Sequence, residues 1–420
     1  MKKVSIHTLG CRLNLSESGS IAQGFAQRGY EIVPFGEKAD ITFLNTCTVT
    51  DGADSSCRNT IRKAQKLSPE GKVVVAGCYA QMEPDEIRSL NVDLILGTQE
   101  KYKVFDYLDE EEGNITRIEK SNEFWGAATT LEDSRTRSFL KIQDGCNYIC
   151  SFCIIPFARG RSRVISIKDA QKEARKLVEQ GFKEIVLTGV NIGEYESTGG
   201  QRLVDLIKAI QDIEGLSRLR LSSVEPNTIT KELLEQLKKT SQYQDHFHVP
   251  LQSADTEILT KMRRKYTFDH YKEVIGMIKG YYPNASIGAD IIAGFPSESE
   301  KQFENTYNYL KNSPITHFHV FPYSKRKNTT AARMDLHIDP TLKRRRVKSL
   351  IELGKEKQSH FAQAQIGEEL EVLFERKGRE GLWRGYSGNY LKSYFASEED
   401  LSNKVLRLKV SKVDGSSLYF

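Results

Sequence analysis

The chain has 420 residues, 39% of them apolar and 28% charged, with 19 Phe and 18 Tyr, which is buriable surface enough for about two to four domains and excludes a disordered polymer. Its 61 Lys and Arg against 56 Asp and Glu leave a net charge of +5, which decides little about partners. Apolar runs such as 73–76 fall far short of the roughly 18 residues a membrane span needs, and MKK leads straight into the strand-like VSIHTLG, so neither an anchor nor a signal peptide is expected and a cytoplasmic setting is. In a reducing compartment, seven cysteines point to metal ligation or catalysis rather than to a disulfide framework.

From the N-terminus, KVSIHTLG, ADITFLNT, KVVVAG and VDLILG read as strands, separated by helical stretches at 16–28 and 54–66, the alternation of an open parallel α/β domain over residues 1–120. The acidic run at 109–112 and the irregular 121–136 interrupt that rhythm as a linker. A second array follows: SFLKIQDG, EIVLTGVN, RLRLSSVE, DHFHVPLQ, ASIGADIIAGF and THFHVFPY as strands, with helices at 168–180, 203–213, 231–239, 268–281 and 301–312. Six such units predict a partial (β/α)6 barrel, whose chemistry gathers at the C-terminal ends of its strands. A long charged helix running from Pro340 to about 365 closes this 137–365 region, and 366–420 alternates like a small all-β barrel. The fold class expected is therefore α/β with an all-β tail.

Cys146, Cys150 and Cys153 fall within eight residues, directly after the first barrel strand. Three thiolates hold three irons of a [4Fe-4S] cluster and leave the fourth open to a substrate; the alternative is a structural zinc loop completed by a remote ligand. Cys11, Cys47 and Cys78 each follow a strand of the first array, roughly thirty residues apart. Parallel strands bring such ends together, so these three suit a second cluster with its own open iron. Taken singly, each is equally readable as a small buried hydrophobe. Cys57, inside a helical pattern, reads as an ordinary free thiol.

The run CxxxCxFC, with Phe152 at its aromatic position, resembles the radical S-adenosylmethionine motif. Together with CxxN at Cys11 and Asn14, NTCTVT at Cys47, AGCYAQ at Cys78 and DGCNYICSFCIIPFARGRSR, it makes nearly the whole chain similar to the methylthiotransferase family of radical S-adenosylmethionine enzymes. The resemblance implies two [4Fe-4S] clusters and S-adenosyl-L-methionine as cofactors. One cluster, on Cys146, Cys150 and Cys153, chelates S-adenosylmethionine and cleaves it to a 5'-deoxyadenosyl radical; the other, on Cys11, Cys47 and Cys78, carries sulfur. It further implies a TRAM-like RNA-binding tail, an electron donor such as flavodoxin or ferredoxin, a sulfur source, and tRNA as partner through the anticodon stem-loop. The motif wording points to the branch that methylthiolates C2 of N6-threonylcarbamoyladenosine beside the anticodon. The alternatives are isopentenyladenosine, a ribosomal protein aspartate or, outside catalysis, a zinc-stabilised RNA-binding protein.

S-adenosylmethionine must also meet polar groups at other barrel strand ends. The backbone at Phe152 is expected near adenine, Gly189 and Asn191 near the methionine amino group, Ser223 (with Ser222) and Glu225 near the ribose, and Gln252 (with Ser253) at the fourth strand end; 288–294 resembles an adenine-binding strand. For each of these, capping of a helix or strand end is the plain alternative. His246 and His248, like His317 and His319, share a strand face and read either as cavity lining or as satisfied packing. Arg159, Arg161 and Arg163 are candidates for phosphate or cofactor carboxylate. Between 324 and 348 nine basic residues face two acidic ones, a patch suited to phosphate backbones. In the balanced tail, Trp383, Tyr386, Tyr390 and Phe395 are candidates for base stacking, with core packing as the default.

Overall fold

In the computed structural model, the described residues are 1–108, 113–115, 124–128, 136–378 and 381–420. The acidic stretch expected at 109–112 lies outside them, as does most of the linker expected at 121–136. Six parallel strands form the N-terminal sheet, in the order Glu31–Val33, Lys3–Thr8, Ile41–Thr46, Lys72–Gly77, Leu94–Leu96, Gly113–Ile115. Helix Arg12–Gln27 packs Ile21 and Phe25 on one face, and helix Asp51–Leu67 packs Cys57, Ile61 and Ala64 on the other. Strand order reverses between Lys3–Thr8 and Ile41–Thr46, the point where an open α/β sheet leaves a crevice beyond its C-terminal edge. Cys11 and Cys47 follow those two strands. Gly10 makes their approach possible: it sits at φ +105°, and a Cβ there would lie 2.6 Å from that of Cys47.

The central barrel has six parallel strands in chain order, Arg137–Lys141, Glu184–Thr188, Arg218–Leu221, His246–His248, Ser286–Ala293 and His317–Pro322. The third and fourth are joined by the single bridges Leu219 to Tyr243 and Ser223 to His248. Ala127–Ala128, inside the expected linker, adds an antiparallel edge strand. Ile185, Leu187, Leu219, Ile287 and Ala289 are fully buried in one large core with the surrounding helices. Those helices start on side-chain caps, Ser166, Thr230, Thr267 and Ser299 each accepting a backbone N–H. Helix Pro340–Gln363 lies against the last strand.

The tail is a curled six-stranded sheet, mainly antiparallel, with 392–396 and 417–419 paired in parallel. It is fastened to the barrel by charges the sequence pattern hides. Arg218 and Arg220 are buried within a barrel strand; Arg218 reaches Glu371 at 3.0 Å and the carbonyl of Tyr386 at 2.9 Å, and Arg220 the carbonyls of Ser387 and Gly388. Glu184 balances them at 3.8 and 3.0 Å and also takes Arg137 at 2.5 Å. Burial pushes the Glu184 carboxyl up, but Arg137, then Arg220 and Arg218, bring it from its ordinary 4.5 down to about 2. Its contribution to stability is therefore full above pH 4.5 and is lost as pH falls towards 2. Glu184→Gln is expected to lower the thermal midpoint at neutral pH, with the gap from wild type narrowing below pH 4.5. Melts of both proteins from pH 7 to pH 3 check this, and a gap independent of pH would contradict it.

Candidate functional site

Cys11 lies at the start of helix Arg12–Gln27, Cys47 just past its strand, and Cys78 at the first position of helix Cys78–Met82. All three line one chamber of about 920 Å³ between the N-terminal sheet, the barrel and the tail. They are near enough to act on one another. The Cys47 thiol is pushed up to about 12 by burial, then by Cys78 and Cys11, and the Cys78 thiol is raised by burial and by Cys11 while Arg159 and Lys101 pull it back. Thiols desolvated this strongly keep their protons until a metal replaces them. Cys57 stands apart: fully buried in the face of its helix, it directs its sulfur to the Cys47 carbonyl at 3.4 Å.

Behind Cys78 lies a fully buried ionic network. Arg159 contacts Glu17 at 2.8 Å and Asp144 at 2.9 Å, Lys141 contacts Asp144 at 2.7 Å and Glu17 at 3.2 Å, and Lys101 pairs with Glu17. Three cations meet two carboxylates there, and Arg163 adds a fourth cation at 3.4 Å from Asp144. Cations therefore exceed carboxylates in a place closed to water, and Arg159 and Lys101 both act on the Cys78 thiol. Arg159 also donates to Asn14 at 2.6 Å, so the CxxN asparagine is a strut between the cysteine loop and the network. Of the three arginines proposed for phosphate or cofactor, Arg159 is thus sealed inside, Arg163 is held by Asp144 and nearby carbonyls, and Arg161 alone is exposed.

The second cysteine set follows strand Arg137–Lys141. Cys153 is raised to about 12 by burial, Cys150 and Cys146, and Cys146 to about 11 by burial, Cys150, Glu194 and Glu225. Arg264 donates to the Cys150 sulfur at 3.3 Å and is ion-paired with Glu225. A cubane takes each thiolate on a different iron, so its ligands stand apart rather than converging on a point. Among the described residues, no three His, Cys, Asp or Glu side chains converge as one ion requires.

Beside this loop is a smaller cavity of about 200 Å³ lined by Phe152, Cys153, Gln252 and Tyr323. It meets the chamber at Val49, Ile155, Asp290 and Phe321. Gln252 holds φ +65° because its N–H donates to Asp290 at 2.7 Å while its carbonyl accepts from Ile292 at 3.0 Å. Gly189 lies on the chamber wall, where a Cβ would strike the Gln143 amide oxygen at 2.8 Å. That oxygen accepts from the N–H groups of Val190 and Asn191, and the Gln143 amino group reaches the Gly145 carbonyl at 2.6 Å. One buried glutamine therefore ties the cysteine loop to the second strand end. Asn191 is buried beside Glu194, whose carboxyl is raised by burial and by Glu225. The Ser223 hydroxyl is shared with His248 at 2.8 Å, and His248 faces Asp290 at 3.4 Å.

All four strand histidines line the chamber. Three of them are pushed towards the neutral form: His246 lies well below its usual range through burial and Arg220, His317 is lowered to about 3 by burial and His248, and His319 is lowered by burial. The four tail aromatics divide. Trp383 and Phe395 belong to the tail core, whereas Tyr386 and Tyr390 line the chamber. The basic stretch divides too, since Arg326 is buried against Asp54 at 2.5 Å and Arg346 against Glu298 at 2.7 Å, leaving Lys325, Lys327, Arg333, Arg344, Arg345 and Lys348 exposed. No signal in the sequence marked Gln143, Arg264, or Glu17, Lys101 and Lys141 of the buried network.

The family model described as "Uncharacterized protein family UPF0004" matches residues 3–97, and that of the Radical SAM superfamily matches 140–310. The chain is 38% identical to the threonylcarbamoyladenosine tRNA methylthiotransferase MtaB of Bacillus subtilis, over 98% of this chain and 94% of that one. It is 39% identical to the Aquifex aeolicus protein of the same name, over 90% and 94%. Among solved structures, the radical S-adenosylmethionine methyltransferase TsrM of Kitasatospora setae, with cobalamin and a [4Fe-4S] cluster bound, superposes with a TM-score of 0.57 over 79% of this chain and 77% of that one, at 14% identity. That likeness is one of fold.

Proposed function

This chain belongs to the methylthiotransferase family of radical S-adenosylmethionine enzymes, and on that premise we propose that its substrate is N6-threonylcarbamoyladenosine beside the anticodon of tRNA, whose C2 hydrogen it replaces with a methylthio group. The protein is a radical S-adenosylmethionine tRNA methylthiotransferase; the particular nucleoside, a second cluster and the residue roles are the proposal. The observation that carries it is the chamber, which has Cys11, Cys47 and Cys78 on one wall and meets the Cys153 cavity on another.

Cys146, Cys150 and Cys153 would hold a [4Fe-4S] cluster, which would supply reductive cleavage of S-adenosylmethionine, the chemistry that a non-acidic C2–H requires. Arg264 holds the Cys150 sulfur in place and its charge favours the thiolate. Glu194 and Glu225, both near Cys146, suit the ammonium group of S-adenosylmethionine. Phe152 and Gln252 line the slot that suits its adenosine, and Gly189 lets backbone approach. Cys11, Cys47 and Cys78 would hold the second cluster, where sulfur is carried, and Arg159 and Lys101 would balance its charge.

The exposed cations of 325–348 and the chamber tyrosines Tyr386 and Tyr390 suit the phosphates and bases of an anticodon stem-loop. A cytoplasmic setting, a flavodoxin or ferredoxin as donor and a separate sulfur source complete the reading. No helix among the described residues is long and apolar enough to cross a membrane.

Anaerobically reconstituted protein, incubated with reductant, S-adenosylmethionine, sulfide and tRNA carrying threonylcarbamoyladenosine, is expected to yield its 2-methylthio derivative by nucleoside mass spectrometry. Product from isopentenyladenosine alone, or from a ribosomal protein alone, would overturn the assignment.

A further inference from the structure

Among the described residues that line the chamber, Arg12 is a cation that the mechanism above does not use. Three arginines converge on Tyr390: Arg12, Arg137 and Arg220 lie 5.4, 5.2 and 4.6 Å from its ring centre. Arg220 is paired with Glu184, and Arg137 with Glu184 and Glu375. Arg12 is not: among the described residues it has no carboxylate partner. It is half-buried on the chamber wall, rests on the faces of Tyr390 and Phe139, and donates to the Tyr390 hydroxyl at 3.1 Å. A guanidinium parked on rings and a phenol keeps most of its donors free for a planar anion. Burial pushes His246 and His317 beside it towards the neutral form, and among the described chamber-lining residues the carboxylate, Asp290, is engaged by His248.

We propose that Arg12 is a specificity-determining residue that takes the carboxylate of the substrate's N6 substituent while the base presents C2 to the sulfur site at Cys11. This rests on the reading of the substrate as N6-threonylcarbamoyladenosine. C2 and C6 of adenine flank the same ring nitrogen, so a base with C2 at the cysteine loop extends its N6 group past the residue next in sequence to Cys11. The threonylcarbamoyl group ends in a carboxylate, which Arg12 binds in two-point fashion in place of its contact with Tyr390. An isopentenyl group offers nothing to a guanidinium and would leave it desolvated beside an apolar chain.

The test uses the reconstituted full-length enzyme and three synthetic anticodon stem-loops that differ only in the N6 group: threonylcarbamoyl, its threonine carboxamide, and isopentenyl. Binding is read by fluorescence anisotropy, and KM separately from kcat. Wild type is expected to bind the carboxylate form on the order of ten- to a hundredfold more tightly than the carboxamide. Arg12→Gln is expected to bring that ratio close to one by weakening the carboxylate form alone, and Arg12→Lys to restore part of it. A ratio near one in wild type, or an unchanged ratio in Arg12→Gln, overturns the assignment; so does an equal loss for all three RNAs, which marks a phosphate contact. The wild-type comparison needs no variant to fold. If wild type fails to methylthiolate the threonylcarbamoyl stem-loop at all, the substrate reading falls and Arg12 with it; if it turns that RNA over with a flat ratio, only Arg12 falls.

Discussion

Cys47→Ala is expected to leave a protein that holds about half of the wild-type iron, about four atoms rather than about eight, still cleaves S-adenosylmethionine to 5'-deoxyadenosine under reducing conditions, and makes no methylthio product. Cys150→Ala is expected to lose the other half of the iron and both activities. The asymmetry follows from the geometry. Cys47 belongs with Cys11 and Cys78 at the C-terminal edge of the N-terminal sheet, while Cys150 belongs with Cys146 and Cys153 on the barrel loop beside the smaller cavity. The two sets share no residue, so each variant is expected to empty one site alone. Iron and sulfide analysis with chromatography of 5'-deoxyadenosine checks both variants; equal loss of all iron in each would mean one shared site.

The second large effect is on stability. Glu17→Gln is expected to destabilise the folded protein by roughly 3–5 kcal/mol, because it removes half of the negative charge that offsets Arg159, Lys101 and Lys141 in a site closed to water. Glu17 is fully buried; burial alone would raise its carboxyl, yet Arg159, Lys101 and Lys141 hold it well below the usual range. The group therefore stabilises the fold above the ordinary carboxylate pKa, and that support is lost only as pH falls through its depressed value. Denaturant unfolding of wild type and variant at neutral pH measures the difference. A loss below about 1 kcal/mol, the size of an exposed pair, would show that the network is hydrated in solution. Glu17 lies on helix Arg12–Gln27 and Arg159 just past the cysteine loop, so the same substitution is expected to loosen the docking of the N-terminal domain on the barrel.

Those two residues also show where sequence reasoning stops. The convergence of Cys11, Cys47 and Cys78 on one chamber was legible because parallel strands place every C-terminal end at one edge. The β/α alternation gave each barrel strand and its helices to within a few residues. Helix Arg12–Gln27 begins four residues before the expected start at 16, since the polar Asn14 breaks the apolar pattern of its first turn; Asn14, Ser16 and Glu17 are buried against Arg159 and the Phe139 carbonyl of the barrel, Ser16 donating to the latter at 2.8 Å. Buried charge looks like surface in a one-dimensional pattern. For the same reason Arg218 and Arg220, in an alternating RLRL strand, hid their grip on the tail, and Arg326 and Arg346 inflated a basic run that in part serves domain contacts. The edge strand Glu31–Val33 has too few residues to show a period of two. Convergence of Arg12, Tyr390 and His246 from three domains leaves no local trace at all.

The claim at the centre of this account is that two iron–sulfur sites face one chamber. Pulsed electron paramagnetic resonance of the dithionite-reduced holoenzyme tests it most directly. Magnetic coupling between two reduced [4Fe-4S] centres, lost in Cys47→Ala while one uncoupled signal persists, is the predicted result; two full-strength signals that relax independently in wild type would contradict it.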